Sequence, residues 1–63
     1  MPIHLNGQPR EDLHTIAEAV AAITTATKGV AVAVNSEVVP KSQWGQELND
    51  GDKVEILTAT QGG

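Results

Sequence analysis

The sequence predicts an α+β domain in which an antiparallel sheet carries one long helix across one face. Three observations point there. Val30, Val32 and Val34 alternate with Ala31 and Ala33, the period-2 pattern of a half-buried strand. Ile16, Val20, Ile23 and Thr27 recur at i, i+4, i+7 and i+11, with Ala19, Ala22 and Ala26 beside them, the stripe of an amphipathic helix. Asn6-Gly7 and Asn35-Ser36 each follow a segment of alternating apolar residues, where two-residue hairpin turns belong.

Taken in chain order, Ile3 and Leu5 alternate with Pro2 and His4 to give a first strand. Its return strand, around Gln8 to Leu13, is polar and contains Pro9, which suits an edge where no ladder donor is needed. Thr15 stands three residues before Glu18, a capping box in which the hydroxyl takes the Glu18 amide and the carboxylate reaches back to the Thr15 amide. The helix is expected to run from about Ile16 to Lys28, with Lys28 at the negative end of the dipole and Gly29 just past it. The valine strand follows, then the Asn35-Ser36 turn and a short edge partner at Glu37, Val38 and Val39 before Pro40. Ser42 to Leu48 reads as a single helical turn capped by Ser42, with Trp44 filling a gap over the lower edge of the core. Asn49-Asp50-Gly51-Asp52 is a turn by composition, and Lys53 to Ala59 is the last strand, with Val54 and Ile56 inward and Glu55 and Leu57 outward.

Composition narrows the functional classes. Sixty-three residues make one domain with a thin core, since eight of the apolar residues are alanines. Without cysteine there is no disulfide, no thiolate metal site and no cysteine nucleophile. A net charge of -4, no basic run and Trp44 as the one aromatic residue argue against nucleic acid. With no long apolar segment and no charged region leading into one at the N-terminus, the chain is expected to be cytoplasmic, without a membrane or metal partner.

Candidate catalytic groups are few. His4 and His14 have nothing at catalytic spacing and read as strand or surface residues. The carboxylate pairs Glu11-Asp12 and Asp50, Asp52 read as solvated charge at an edge and in a turn. A domain of this size is expected to have little room for a pocket of about 300 Å³. That leaves the terminus: at average glycine usage, two consecutive glycines close only about 0.5% of chains. Gly62 and Gly63 make a narrow thread able to enter a tight channel, and the terminal carboxylate is ionised at neutral pH, so it can attack the α-phosphorus of ATP. The absence of a thiol leaves nothing to capture the resulting acyl adenylate internally.

VAVAVNSEVVPKSQW, then DGDKVEIL, then the terminal GG, in this order and at these spacings, resembles the ThiS family of sulfur carriers. The likeness covers nearly the whole chain. It implies a ubiquitin-like β-grasp fold, related to MoaD, with a mixed sheet of four to five strands, a domain over residues 1–59 and a flexible tail over 60–63. It also implies that the chain is not an enzyme and binds no cofactor. A ThiF-like adenylyltransferase would use ATP to activate Gly63, a sulfur donor such as a cysteine desulfurase would convert it to a thiocarboxylate, and a ThiG-like thiazole synthase would consume the sulfur. Ser36, Lys41 and Thr60-Gln61 depart from frequent family residues without touching the reacting group.

The residues add a docking surface of their own. If the helix covers one face, His4, Ala31, Ala33, Leu57 and Glu55 share the other, with Glu47, Asp50 and Asp52 near it to meet basic groups of a partner. The leading expectation is a carrier, monomeric when free, that is a substrate of other enzymes, with this face expected to dock the adenylating one. The alternatives are a MoaD-like carrier, a protein modifier joined through Gly63, and a non-covalent interaction module with a flexible end.

Overall fold

The computed structural model describes residues 1–25 and 28–58. Among them, strands β1 (Ile3–Leu5), β2 (Gln8–Arg10), β3 (Val30–Val34), β4 (Glu37–Val39) and β5 (Lys53–Thr58) form one sheet in the order β2-β1-β5-β3-β4. The helix α1 (Ile16–Ile23) lies across one face. The sheet is mixed rather than antiparallel throughout, because β1 pairs parallel with β5. Alternation of side chains fixes which face a residue takes but not which strand lies beside it, so residue pattern alone could not supply this pairing. The mixed sheet implied by the family resemblance is the one observed.

Both hairpins turn as their residues require. Asn6 and Gly7 sit at φ 50° and 85°, and Asn35 and Ser36 at 53° and 72°. Positive φ at both centres matches the twist of the flanking strands. Pro9 lies on edge strand β2 opposite His4. That strand stops at Arg10, short of the expected Leu13, and the Arg10 guanidinium turns to Asp12 through bonds of 2.9 and 2.8 Å.

Helix α1 is shorter than its stripe suggested. Thr24 is extended (φ -153°, ψ 152°) and its amide donates to the Val20 carbonyl, closing the helix after Ile23. Successive β-branched threonines lose rotamer freedom in a helix and offer hydroxyls that compete for the backbone. Ile23 is consequently 41% exposed, while Ile16, Ala19 and Val20 are buried. Gly29 has the positive φ expected of it (72°), but in a bend beyond the helix rather than at its cap. Thr27 and Ala26 lie outside the described residues.

The start of α1 is fastened by the segment that returns from β4. Glu18 N–H donates to Thr15 Oγ1 at 3.1 Å as the capping box requires, but the Glu18 carboxylate accepts from the His14 amide at 2.7 Å, one residue earlier than expected. Ile16 and Ala17 donate to the carbonyls of Gln46 and Trp44 at 3.1 and 2.8 Å, and Leu48 donates to His14 at 2.8 Å. The free amides of the first turn are thus occupied. Lys41–Gln43 forms a short 3-10 turn with Pro40 before it, so Ser42 lies inside the turn instead of capping it. Trp44 is half-buried against the core and donates Nε1–H to the Val39 carbonyl at 3.3 Å.

Ile3, Leu5, Val32, Val54 and Ile56 from the sheet meet Ile16, Ala19 and Val20 from the helix in a single buried cluster. Ala19 is fully buried, and its small side chain lets the helix approach the sheet closely. No helix among the described residues is long and apolar enough to cross a membrane.

Candidate functional site

The second face of the sheet has no helix over it. Strand alternation brings Ala31 and Ala33 of β3, Glu55 and Leu57 of β5, His4 of β1 and Val38 of β4 to that face, and the register sets Ala31 opposite Leu57 and Ala33 between Glu55 and Val38. Leu57 is 71% exposed and Val38 80%. Two large apolar side chains therefore stand up on either side of a floor of alanines, enclosing a depression of about 160 Å³.

A second depression, of about 360 Å³, adjoins it and is lined by His4, Gly7, Ser36, Lys53 and Glu55. Glu55 borders both. The predicted docking residues thus divide into an apolar part (Ala31, Ala33, Leu57) and a polar part around His4, with Glu55 as the hinge between them. The depressions also correct the expectation that so small a domain lacks room for a hollow. Both lie on the face of the sheet that no helix covers, outside the buried core. Nδ1 of His4 is buried and makes no hydrogen bond among the described residues.

Two residues of this face escaped the sequence reading. Val38 could have been placed, because a two-residue turn at Asn35-Ser36 dictates that residue 33 pairs with 38 and so shares its face. Lys53 could have been placed too, two residues before Glu55 on the outward side of the last strand; only its pairing with His4, through the parallel ladder, had no local signal. Lys53 puts a cation beside Glu55, so the face is of mixed charge.

The acidic residues expected near it are mostly engaged elsewhere. Asp52 accepts from Asn35 Nδ2 at 3.0 Å and from the Asn49 amide at 2.8 Å, holding the turn together. Asp50 lies 3.5 Å from the N-terminal amine, and the backbone of Glu47 forms an antiparallel bridge with that of Thr15 at the start of α1. Asp12, at the opposite edge, has its carboxyl held below the usual range by hydrogen bonds from Arg10. Among the described residues no group of acidic or histidine side chains could hold a metal ion.

β5 is the middle strand of this face and ends in the described chain at Thr58, one residue past Leu57. Gly62 and Gly63, and the whole predicted tail over 60–63, lie outside the described residues.

A family model for the ThiS family matches residues 3–63. The chain belongs to the ThiS family. A crystal structure of the thiamine biosynthesis protein ThiS from Geobacter metallireducens is similar over 100% of both chains, at 31% identity and a TM-score of 0.71. A solution structure of a thiamine biosynthesis protein from the same organism is similar over 100% of this chain and 88% of its own, at 29% identity and a TM-score of 0.75. A comparison with curated proteins gives no match. The fold is accordingly the ubiquitin-like β-grasp of ThiS, and membership places the chain among the small sulfur carriers of thiamine biosynthesis rather than among catalysts.

Proposed function

We propose that this ThiS protein carries sulfur on the carboxylate of Gly63. A Gly63 oxygen attacks the α-phosphorus of ATP in a ThiF-like adenylyltransferase, and pyrophosphate leaves. A persulfide supplied by a cysteine desulfurase or equivalent then attacks the acyl carbon through its terminal sulfur, and AMP leaves. A thiol cleaves the resulting acyl disulfide, taking the inner sulfur away in a new disulfide and releasing the thiocarboxylate. The thiocarboxylate so formed gives up its sulfur to a ThiG-like thiazole synthase. ATP and the sulfur donor belong to the partner enzymes, and the carrier contributes its terminus and its body.

The observation that carries this reading is the family match over residues 3–63, which includes the terminal Gly62-Gly63. The open face supports it. Gly63 follows Thr58 by five residues, so at full extension it lies at most about 18 Å from the strand end. An enzyme docked over Ala31, Ala33, Val38 and Leu57, with His4 and Glu55 beside them, is therefore within reach of the group it modifies. Covering Leu57 and Val38 would contribute about 1.5–3 kcal/mol each before the costs of association.

The test is reconstitution of the full chain with the adenylating enzyme of its own host and ATP. Pyrophosphate is expected to be released stoichiometrically with the carrier, and deletion of Gly63 is expected to abolish that release while leaving the fold unchanged. Undiminished release with the shortened chain would refute the assignment of Gly63.

A further inference from the structure

Asn6 and Asn35 occupy equivalent places, each the first centre of a two-residue turn, at φ 50° and 53°. Both side chains reach across to β5. Asn6 Oδ1 accepts from the Ile56 amide at 2.8 Å and its Nδ2 donates to the Ile56 carbonyl at 3.3 Å. Asn35 Oδ1 accepts from the Lys53 amide at 3.0 Å and its Nδ2 donates to Asp52 Oδ1 at 3.0 Å. Each carboxamide continues, as a side chain, the pairing that the turning backbone has left. What differs is the next residue, which is Gly7 after Asn6 and Ser36 after Asn35.

That difference is chemical as well as conformational. The backbone nitrogen of the following residue can attack the carboxamide carbon of an asparagine. The new N–C bond closes a five-membered succinimide, the amide proton passes to solvent and ammonia departs. Water then adds to one of the two ring carbonyls and reopens the ring to aspartate or isoaspartate. One water is consumed, one ammonia is released, and nothing is oxidised. A Cβ on the attacking residue hinders the approach, so Ser36 shields Asn35 where Gly7 leaves Asn6 open.

We propose that Asn6 is a site of spontaneous deamidation, gated by its clamp on Ile56, and that the product unfastens β5 from the first hairpin. In the folded chain the carboxamide is held by both polar groups of Ile56, so the reaction proceeds when that clamp opens. Aspartate keeps an acceptor for the Ile56 amide but sets a carboxylate oxygen, not a donor, against the Ile56 carbonyl. Isoaspartate routes the main chain through the side-chain carbon and lengthens a turn that has room for two residues. Either product weakens the strand from which the terminus departs.

The full-length chain is incubated at mildly alkaline pH, folded and in urea, and sampled by peptide mass mapping, by methyl transfer from a protein isoaspartyl methyltransferase, and by amide exchange. Asn6 is expected to convert severalfold faster than Asn35, faster in urea than when folded, with loss of exchange protection at Ile56 in the isoaspartyl fraction. Gly7→Ser is expected to slow Asn6 to the rate of Asn35. A Cβ at Gly7 meets nothing within 4 Å, and serine already holds φ 72° in the other hairpin. Ser36→Gly is expected to speed Asn35 in turn. Conversion of Asn35 or Asn49 ahead of Asn6, equal rates in folded and unfolded chain, no effect of Gly7→Ser, or retained protection at Ile56 in the isoaspartyl fraction would each overturn the proposal.

Discussion

The two faces of this sheet are made by the same strands, yet neighbouring residues on them have opposite uses. On the helix side Ile3, Leu5, Val32, Val54 and Ile56 are all buried. One residue along in β3 and β5 the chain presents Ala31, Ala33, Glu55 and Leu57 to the open side. A core this small must concentrate its large side chains on one face, and the face left over is free to be shaped for a partner. The same alternation that separates inside from outside therefore also leaves a face that the core does not need.

The comparison can be broken most severely from the buried side. Leu5→Ala removes a side chain that is 3% exposed, and is expected to cost about 2–5 kcal/mol in urea unfolding. Set against a total of about 5–15 kcal/mol, such a loss can bring the domain to the point where folded and unfolded chains are equally populated. From the open side, Leu57→Asp is expected to change unfolding free energy by less than about 0.5 kcal/mol, as surface substitutions usually do. Pyrophosphate release with the adenylating enzyme should nevertheless fall at least about tenfold, the equivalent of about 1.4 kcal/mol of docking energy. A Leu57→Asp chain that is adenylated normally would show that the open face is ordinary surface. The smallest effect sharpens the contrast at the turn between β3 and β4. Ser36→Gly relieves a side chain held at φ 72° and is expected to raise stability by about 0.5–1 kcal/mol in thermal unfolding.

Much of this was legible in the residues. Period-2 alternation in Val30 to Val34 and in Val54 to Leu57 gave both strands and their faces, and Asn6-Gly7 and Asn35-Ser36 gave both hairpins. Thr15 and Glu18 marked the start of α1 to the residue. Its end was obscured because Ala26 and Thr27 continue the helical spacing in the sequence past the point where Thr24 leaves the helix. The parallel pairing of β1 with β5, which sets Lys53 beside His4, joins segments too far apart in sequence for any local pattern to record. The contacts of Trp44 and Gln46 with the start of α1 run through backbone carbonyls, which every residue has. The gathering of the open face into two hollows sharing Glu55 needed the strand order, whereas Val38 needed only the turn length.

The central claim concerns the end of the chain and is tested most directly by the intact mass of the protein purified from its own host without added thiols. The account predicts a population in which one oxygen of the Gly63 carboxylate is replaced by sulfur, lost on mild hydrolysis and absent from a chain lacking Gly63. A chain found joined through Gly63 to lysines of other proteins, or never carrying sulfur while its host makes thiamine, would contradict it.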